Sequence, residues 1–145
     1  MKPIPPVIDM YVAGLKTHDV VQIAGAISEE LEFISPVAVL NKPQFLAMLT
    51  ALYAGFPDWS YEHDAPCLDG DQVAICWRQA GIHTGVFALP GLKPVAPTQR
   101  RVQIPDQTFF YRVRDNQIVQ IRPDPIPGGA PSGILQQIGI ATPPV

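Results

Sequence analysis

Apolar residues recur at helical spacing along the first third of the chain and at strand spacing along most of the rest, and the change falls at Phe56-Pro57-Asp58. Ile8, Tyr11, Val12 and Leu15 stand at i, i+3, i+4 and i+7 and predict a first helix, after which His18-Asp19 offers an N-cap for a short second helix holding Val20, Ile23, Ala24 and Ile27. Glu32 to Ser35 is a short strand candidate. Asn41 caps a third helix opening at Lys42-Pro43, in which Phe45, Met48, Leu49, Leu52, Tyr53 and Phe56 form one broad apolar stripe that needs a large surface to pack on. Beyond it, turn signals at Asp69-Gly70-Asp71, Pro90-Gly91 and Asp115-Asn116 separate strands near 60–67, 72–82, 84–88, 99–104, 107–113 and 117–122. Ser132 to Gly139 closes the chain's pattern with a helical turn ending on glycine.

Helices segregated ahead of a meander predict one α+β domain over residues 1–145. Its long helix lies in the concavity of a curved mixed/antiparallel sheet, and the open end of such a cone is a natural pocket. Tyr11, Phe33, Phe45, Tyr53, Phe56, Trp59, Trp77, Phe87 and Phe109 are candidates to line it around a small hydrophobic molecule, with plain core packing the alternative for each.

Composition narrows the partners. A chain of 145 residues with 47% hydrophobic and 16% charged residues has the material for a substantial core. A formal charge of −3 without a basic run argues against nucleic acid or an anionic membrane as partner. Cys67 and Cys76 lack metal or redox spacing, which predicts buried thiols in a reducing compartment and no metal site. Met1-Lys2-Pro3-Ile4-Pro5-Pro6 lacks the apolar core of a signal peptide and no apolar run reaches membrane-spanning length, so a cytoplasmic location is expected. The 17 prolines gather at presumed loops and at both termini, as punctuation.

Asp124 is the most suggestive acid. It stands between Pro123 and Pro125 at the end of a predicted strand, with Arg122 two positions back on the same side; the plainer role is to begin a turn. A guanidinium within about 4–6 Å would lower its pKa and weaken it as a base unless burial opposed the shift. His83, flanked by Gly81 and Gly85, could donate from a neutral imidazole to a developing oxyanion. His18-Asp19 and His63-Asp64 are assigned to caps and turns.

Ala54-Gly55-Phe56-Pro57-Asp58-Trp59, Gly70-Asp71-Gln72-Val73-Ala74, Gly81-Ile82-His83-Thr84-Gly85-Val86-Phe87, Arg112-Val113-Arg114-Asp115-Asn116-Gln117-Ile118-Val119 and Gly133-Ile134-Leu135-Gln136-Gln137-Ile138-Gly139 follow in the order and approximate spacing of a known family. From about Tyr11 to Gly139 the chain resembles SnoaL-like polyketide cyclases of the nuclear transport factor 2-like superfamily. The resemblance implies a cone-shaped α+β barrel, a homodimer through the outer sheet face, and a small hydrophobic ligand bound without metal or organic cofactor. It also implies ring closure by intramolecular aldol condensation, with an aspartate on the last strand as general acid and base. Asp124 is the nearest match to that aspartate, and His83 matches a histidine that can face the pocket; Arg122 would contact substrate. Two alternatives stand beside this reading. Asp106 and Asp124 around Arg122 would resemble the water-activating arrangement of limonene epoxide hydrolases, and a cone without catalytic groups would be a binding or interaction module. Pro123 to Pro131 would then be a lid over the mouth or a wrap against the dimer partner.

Overall fold

A computed structural model describes residues 3–36 and 38–140, so Met1 and Lys2 of the N-terminal segment lie outside the described residues. Helix α1 (Pro6–Thr17) buries Ile8, Tyr11, Val12 and Leu15, the stripe expected of it, and ends where His18 turns into the left-handed region at φ 55°. Asp19 caps α2 (Val20–Ala26) by accepting a hydrogen bond from the Gln22 backbone N–H at 3.0 Å. Ile27, expected in that helix, instead opens strand β1 (Ile27–Ile34), which is longer than the Glu32–Ser35 strand read from the sequence. A two-residue strand β2 (Val39–Leu40) follows. Helix α3 (Lys42–Gly55) starts from a capping box between Asn41 and Gln44. Lys42 ties this start to the α2–β1 junction, donating to the carbonyls of Ala24 and Ile27 and to Glu29 at 2.8–3.1 Å.

The predicted strand at 60–67 is two pieces, β3 (Ser60–His63) and β4 (Cys67–Asp69), broken at the intervening proline. Strand β5 (Gln72–Ile82) alternates without a fault, burying Val73, Ile75, Trp77, Gln79 and Gly81. Residues 84–88 form no strand; only a single bridge joins Phe87 to Val95. The strands expected at 99–104 and 107–113 are one, β6 (Arg101–Arg114). Trp77 pairs with Gln107 while Gln79 pairs with Ile104, so β6 carries one extra residue at Pro105-Asp106, where proline has no N–H to give the ladder. Strand β7 (Gln117–Pro123) completes the sheet, and α4 (Ser132–Gln137) follows it. The order is β2-β1-β7-β6-β5-β3, with β4 also on β5, antiparallel except for β1 beside β7. Cys76 sits on the outward phase of β5, half-buried, and Cys67 is exposed on β4, so the expectation of two buried thiols is corrected by strand parity.

The buried side chains form two clusters. One joins α1, α2 and α3 to the inner sheet face through residues such as Tyr11, Phe33, Phe45, Trp77, Tyr111 and Ile121. The other surrounds the C-terminal end of α3 with Phe56, Trp59, Phe87, Val102, Ile104 and Ile134. Between them lies a cavity.

Candidate functional site

The cavity measures about 60 Å³ and its wall is almost wholly apolar. Of the residues expected to line it, Tyr11, Phe33, Phe45, Trp77, Phe87 and Phe109 do so. Phe56, Trp59 and Tyr53 do not: Phe56 and Trp59 belong to the second cluster, and Tyr53 stands behind the wall, its hydroxyl 2.8 Å from that of the lining Tyr61. Sequence reading missed Tyr61, Gln79 and Tyr111. Gln79 had a legible signal, as a polar residue in phase with Val73, Ile75 and Trp77 on one strand face.

The few polar atoms of the wall leave donors free. The Trp77 indole N–H donates to the Tyr111 hydroxyl at 2.9 Å, and the Tyr11 ring packs edge-on against that of Tyr111 with centroids 5.6 Å apart. An indole nitrogen can only donate, so this bond uses the Trp77 proton and leaves the Tyr111 phenol proton to give. Tyr53 and Tyr61 share one bond between two hydroxyls, leaving another. Gln79 Oε1 accepts from the Trp59 indole at 3.2 Å, which turns the amide's own donors elsewhere. Burial, the largest cause, pushes Tyr53 up to about 12 and raises Tyr11, Tyr61 and Tyr111 above the usual phenol value. The phenols therefore stay protonated at neutral pH and present O–H groups to whatever enters. His18, read from the sequence as a turn residue, supports this set: its ring stacks on Tyr53 with centroids 4.0 Å apart, and its Nε2 lies 2.7 Å from the Trp59 carbonyl.

Asp124 lies elsewhere. Strict alternation from the buried Ile118 would point residues 120, 122 and 124 into the cone. Arg112 pairs with Gln120 while Val113 pairs with Ile118, so β7 holds an extra residue and its phase reverses. Ile121 and Pro123 face inward instead. Arg122 turns outward, its guanidinium 4.5 Å from the Phe110 ring centroid, and Asp124 is exposed. Neither lines the cavity, so the acid/base role expected of Asp124 and the substrate contact expected of Arg122 have no support in this geometry. Asp106 is exposed too, at the β6 bulge, and among the described residues Arg122 forms an ion pair with neither aspartate. The backbone around Asp124 is held firmly, its N–H on the Thr108 carbonyl at 2.8 Å and its carbonyl on Gln107 Nε2 at 2.9 Å. Gln107 Oε1 accepts from Ala130 N–H at 2.9 Å, and Ala130 and Pro131 close one side of the cavity.

His83 is fully buried outside the cavity, stacked on Phe56 at 5.1 Å and edge-on to Phe87. The Thr98 backbone N–H donates to Nδ1 at 3.2 Å, which puts the neutral ring's proton on Nε2, an atom without a hydrogen-bond partner among the described residues. Burial holds its pKa below the ordinary histidine value, partly opposed by the carbonyls of Val95 and Gly85. The glycines around it serve packing. A Cβ on Gly85 would collide with the Ala54 carbonyl oxygen, and one on Gly81 would stand 2.8 Å from Trp59. The backbone N–H groups of Thr84 and Gly85 donate to the Gly55 carbonyl at 3.2 and 3.1 Å. This segment clasps the end of α3, and Phe87 separates His83 from the cavity.

The SnoaL-like domain family matches residues 8–121. No curated protein matches the chain. Among solved structures, a candidate SnoaL-like polyketide cyclase from Jannaschia is similar over 98% of both chains at 18% identity, with a TM-score of 0.72. AclR from Streptomyces galilaeus, a candidate hydroxylase, matches 94% of this chain and 85% of its own at 20% identity and a TM-score of 0.72. IdmH from Streptomyces antibioticus, a candidate polyketide cyclase, matches 92% and 96% at 20% identity and 0.66. At these identities the likeness establishes the fold, the nuclear transport factor 2-like cone.

Proposed function

Because this chain belongs to the SnoaL-like domain family, we propose that it acts on a small hydrophobic molecule carrying a carbonyl oxygen, in the manner of a cyclase closing a ring by intramolecular aldol addition. The observation that carries this reading is the proton count of the cavity wall: with the Trp77 indole N–H spent on Tyr111, the Tyr111 phenol still has a proton to give, the Tyr53–Tyr61 pair has another, and among the described residues no carboxylate or imidazole lines the space. Donors aimed into a water-poor space stabilise negative charge on oxygen, as in an enolate or a new alkoxide, because they are oriented before the charge develops. The apolar wall adds orientation by holding the reacting carbonyl against those donors. With no fixed base in the wall, the substrate that suits this site has a carbon acid flanked by two carbonyls, which loses its proton to solvent before it enters and regains one from solvent as the new alkoxide leaves.

The test is turnover of a linear β-keto ester bearing a second ketone, followed as loss of starting material. Removing one charge-stabilising donor in Tyr111→Phe should lower the rate by about 10²-fold, while Asp124→Asn should change it little. The reverse result would overturn the donor reading and return the chemistry to Asp124. A second reading, binding without turnover, draws on the same absence of a lining base and is met if Tyr111→Phe weakens ligand binding in a protein that turns nothing over.

A further inference from the structure

The inner cavity is too small for the molecules the fold would serve. Its volume of about 60 Å³ equals the share of about two liquid waters at ~30 Å³ each, whereas an engineered cavity that takes benzene measures about 150 Å³. A second cavity of about 340 Å³ lies against it and shares Phe33, Met48, Leu89 and Pro131 with it. Of these shared residues, which form the neck, Phe33 belongs to β1 and Met48 to α3, while Leu89 comes from the loop after β5 and Pro131 from the segment before α4. The outer wall adds Leu40, Leu92 and Leu135. Leu92 is 50% exposed, an apolar side chain left open to solvent at this place.

We propose that the two chambers form one bipartite site, whose ligand is elongated: an oxygen-bearing head in the donor-lined inner cavity and an unbranched apolar chain running out between Leu89 and Pro131 into the outer chamber. The inference rests on the donor reading above for the head and on shared walls and volume for the chain. The outer chamber's occupant is the remainder of the same ligand, because the neck residues belong to both walls and the inner space cannot hold even one benzene ring. A compact fused-ring ligand does not fit the inner chamber, while a linear one spans both.

Binding of a homologous series of straight-chain methyl ketones, followed by quenching of Trp77 fluorescence, tests this. Once the chain passes the neck, Kd should fall about fourfold per methylene, as each buried CH₂ adds its transfer energy. Leu135→Trp should flatten that dependence while leaving the shortest ketone unaffected. If Leu135→Trp does not fold, Leu92→Ser on the half-exposed wall should make the slope shallower. Tyr111→Phe should weaken every ketone by the same factor, about fivefold to tenfold. Binding that is independent of chain length, or a slope that survives both outer-wall variants, overturns the outer chamber alone. Failure of every ketone to bind overturns the donor reading and the bipartite site with it.

Discussion

The cavity and the clasp around His83 are built from the same kinds of residue, aromatic rings with a few polar atoms among them, yet they use those atoms in opposite ways. In the clasp, backbone approaches backbone: Gly85 lies against Ala54, Gly55 against Phe87 and Gly81 against Trp59, leaving room for nothing else. Its N–H groups at Thr84, Gly85 and Ile82 are committed to the Gly55 carbonyl and the Asp58 carboxylate. In the cavity, Tyr11, Tyr61, Trp77 and Tyr111 stand around open space, and the Tyr111 phenol, already accepting from Trp77, has its own proton to give. The Gly81 to Phe87 segment, one of those that carry the family resemblance, is therefore a packing device, and those four residues lie in α1, β3, β5 and β6, outside the segments that carry it.

That contrast can be broken at its stiffest point first. Gly85→Ala should cost ~3 kcal/mol, the upper end of overpacking penalties, because the obstacle is a backbone carbonyl and not a movable side chain; a denaturation midpoint close to the parent's would refute the clasp. Gln107→Leu comes next. It leaves the Ala130 N–H and the Asp124 carbonyl without partners and should cost about 1–3 kcal/mol, with faster hydrogen exchange at Ala130 as the local sign.

His83 sharpens the comparison through pH. Its folded pKa is depressed by burial, so as pH falls below the ordinary value of about 6.5 the unfolded chain takes up a proton that the folded chain resists. Stability should be at its plateau above that pH and decline as pH drops, levelling below the folded pKa. His83→Gln should remove this part of the pH dependence, measured by denaturation across the acid range, and should leave ketone binding in the cavity unchanged. The smallest effect belongs outside both regions. Arg122→Gln removes a guanidinium stacked on Phe110 at the outer sheet face and should cost no more than ~1 kcal/mol, with no effect on turnover.

Much of the fold is legible in the order of the residues. The stripes of α1 and α3, the Asn41 cap, and the unbroken alternation of β5 are local patterns, and each is where its residues predict. Six of the aromatic residues expected at the cavity do line it, since strand parity and helix phase carry that information. Tyr61 and Tyr111 escape a sequence reading because their partners lie far along the chain: Trp77 meets Tyr111 across 34 residues. Asp124 is misplaced by it for a different reason. Its side of the sheet depends on the extra residue in β7, and nothing in Gln117 to Pro123 says where the ladder against β6 will slip.

The sequence by itself determined the helices, the strand phases within each unbroken run, and the family to which the chain belongs. Only the tertiary structure decided which face each run presents after a bulge. A single unpaired residue reverses every side chain beyond it, and whether it forms depends on the pairing strand and not on the strand that carries it. The two bulges, at Pro105-Asp106 and near Val119, thus bring Gln107 and Tyr111 into the cone and turn Arg122 and Asp124 out of it.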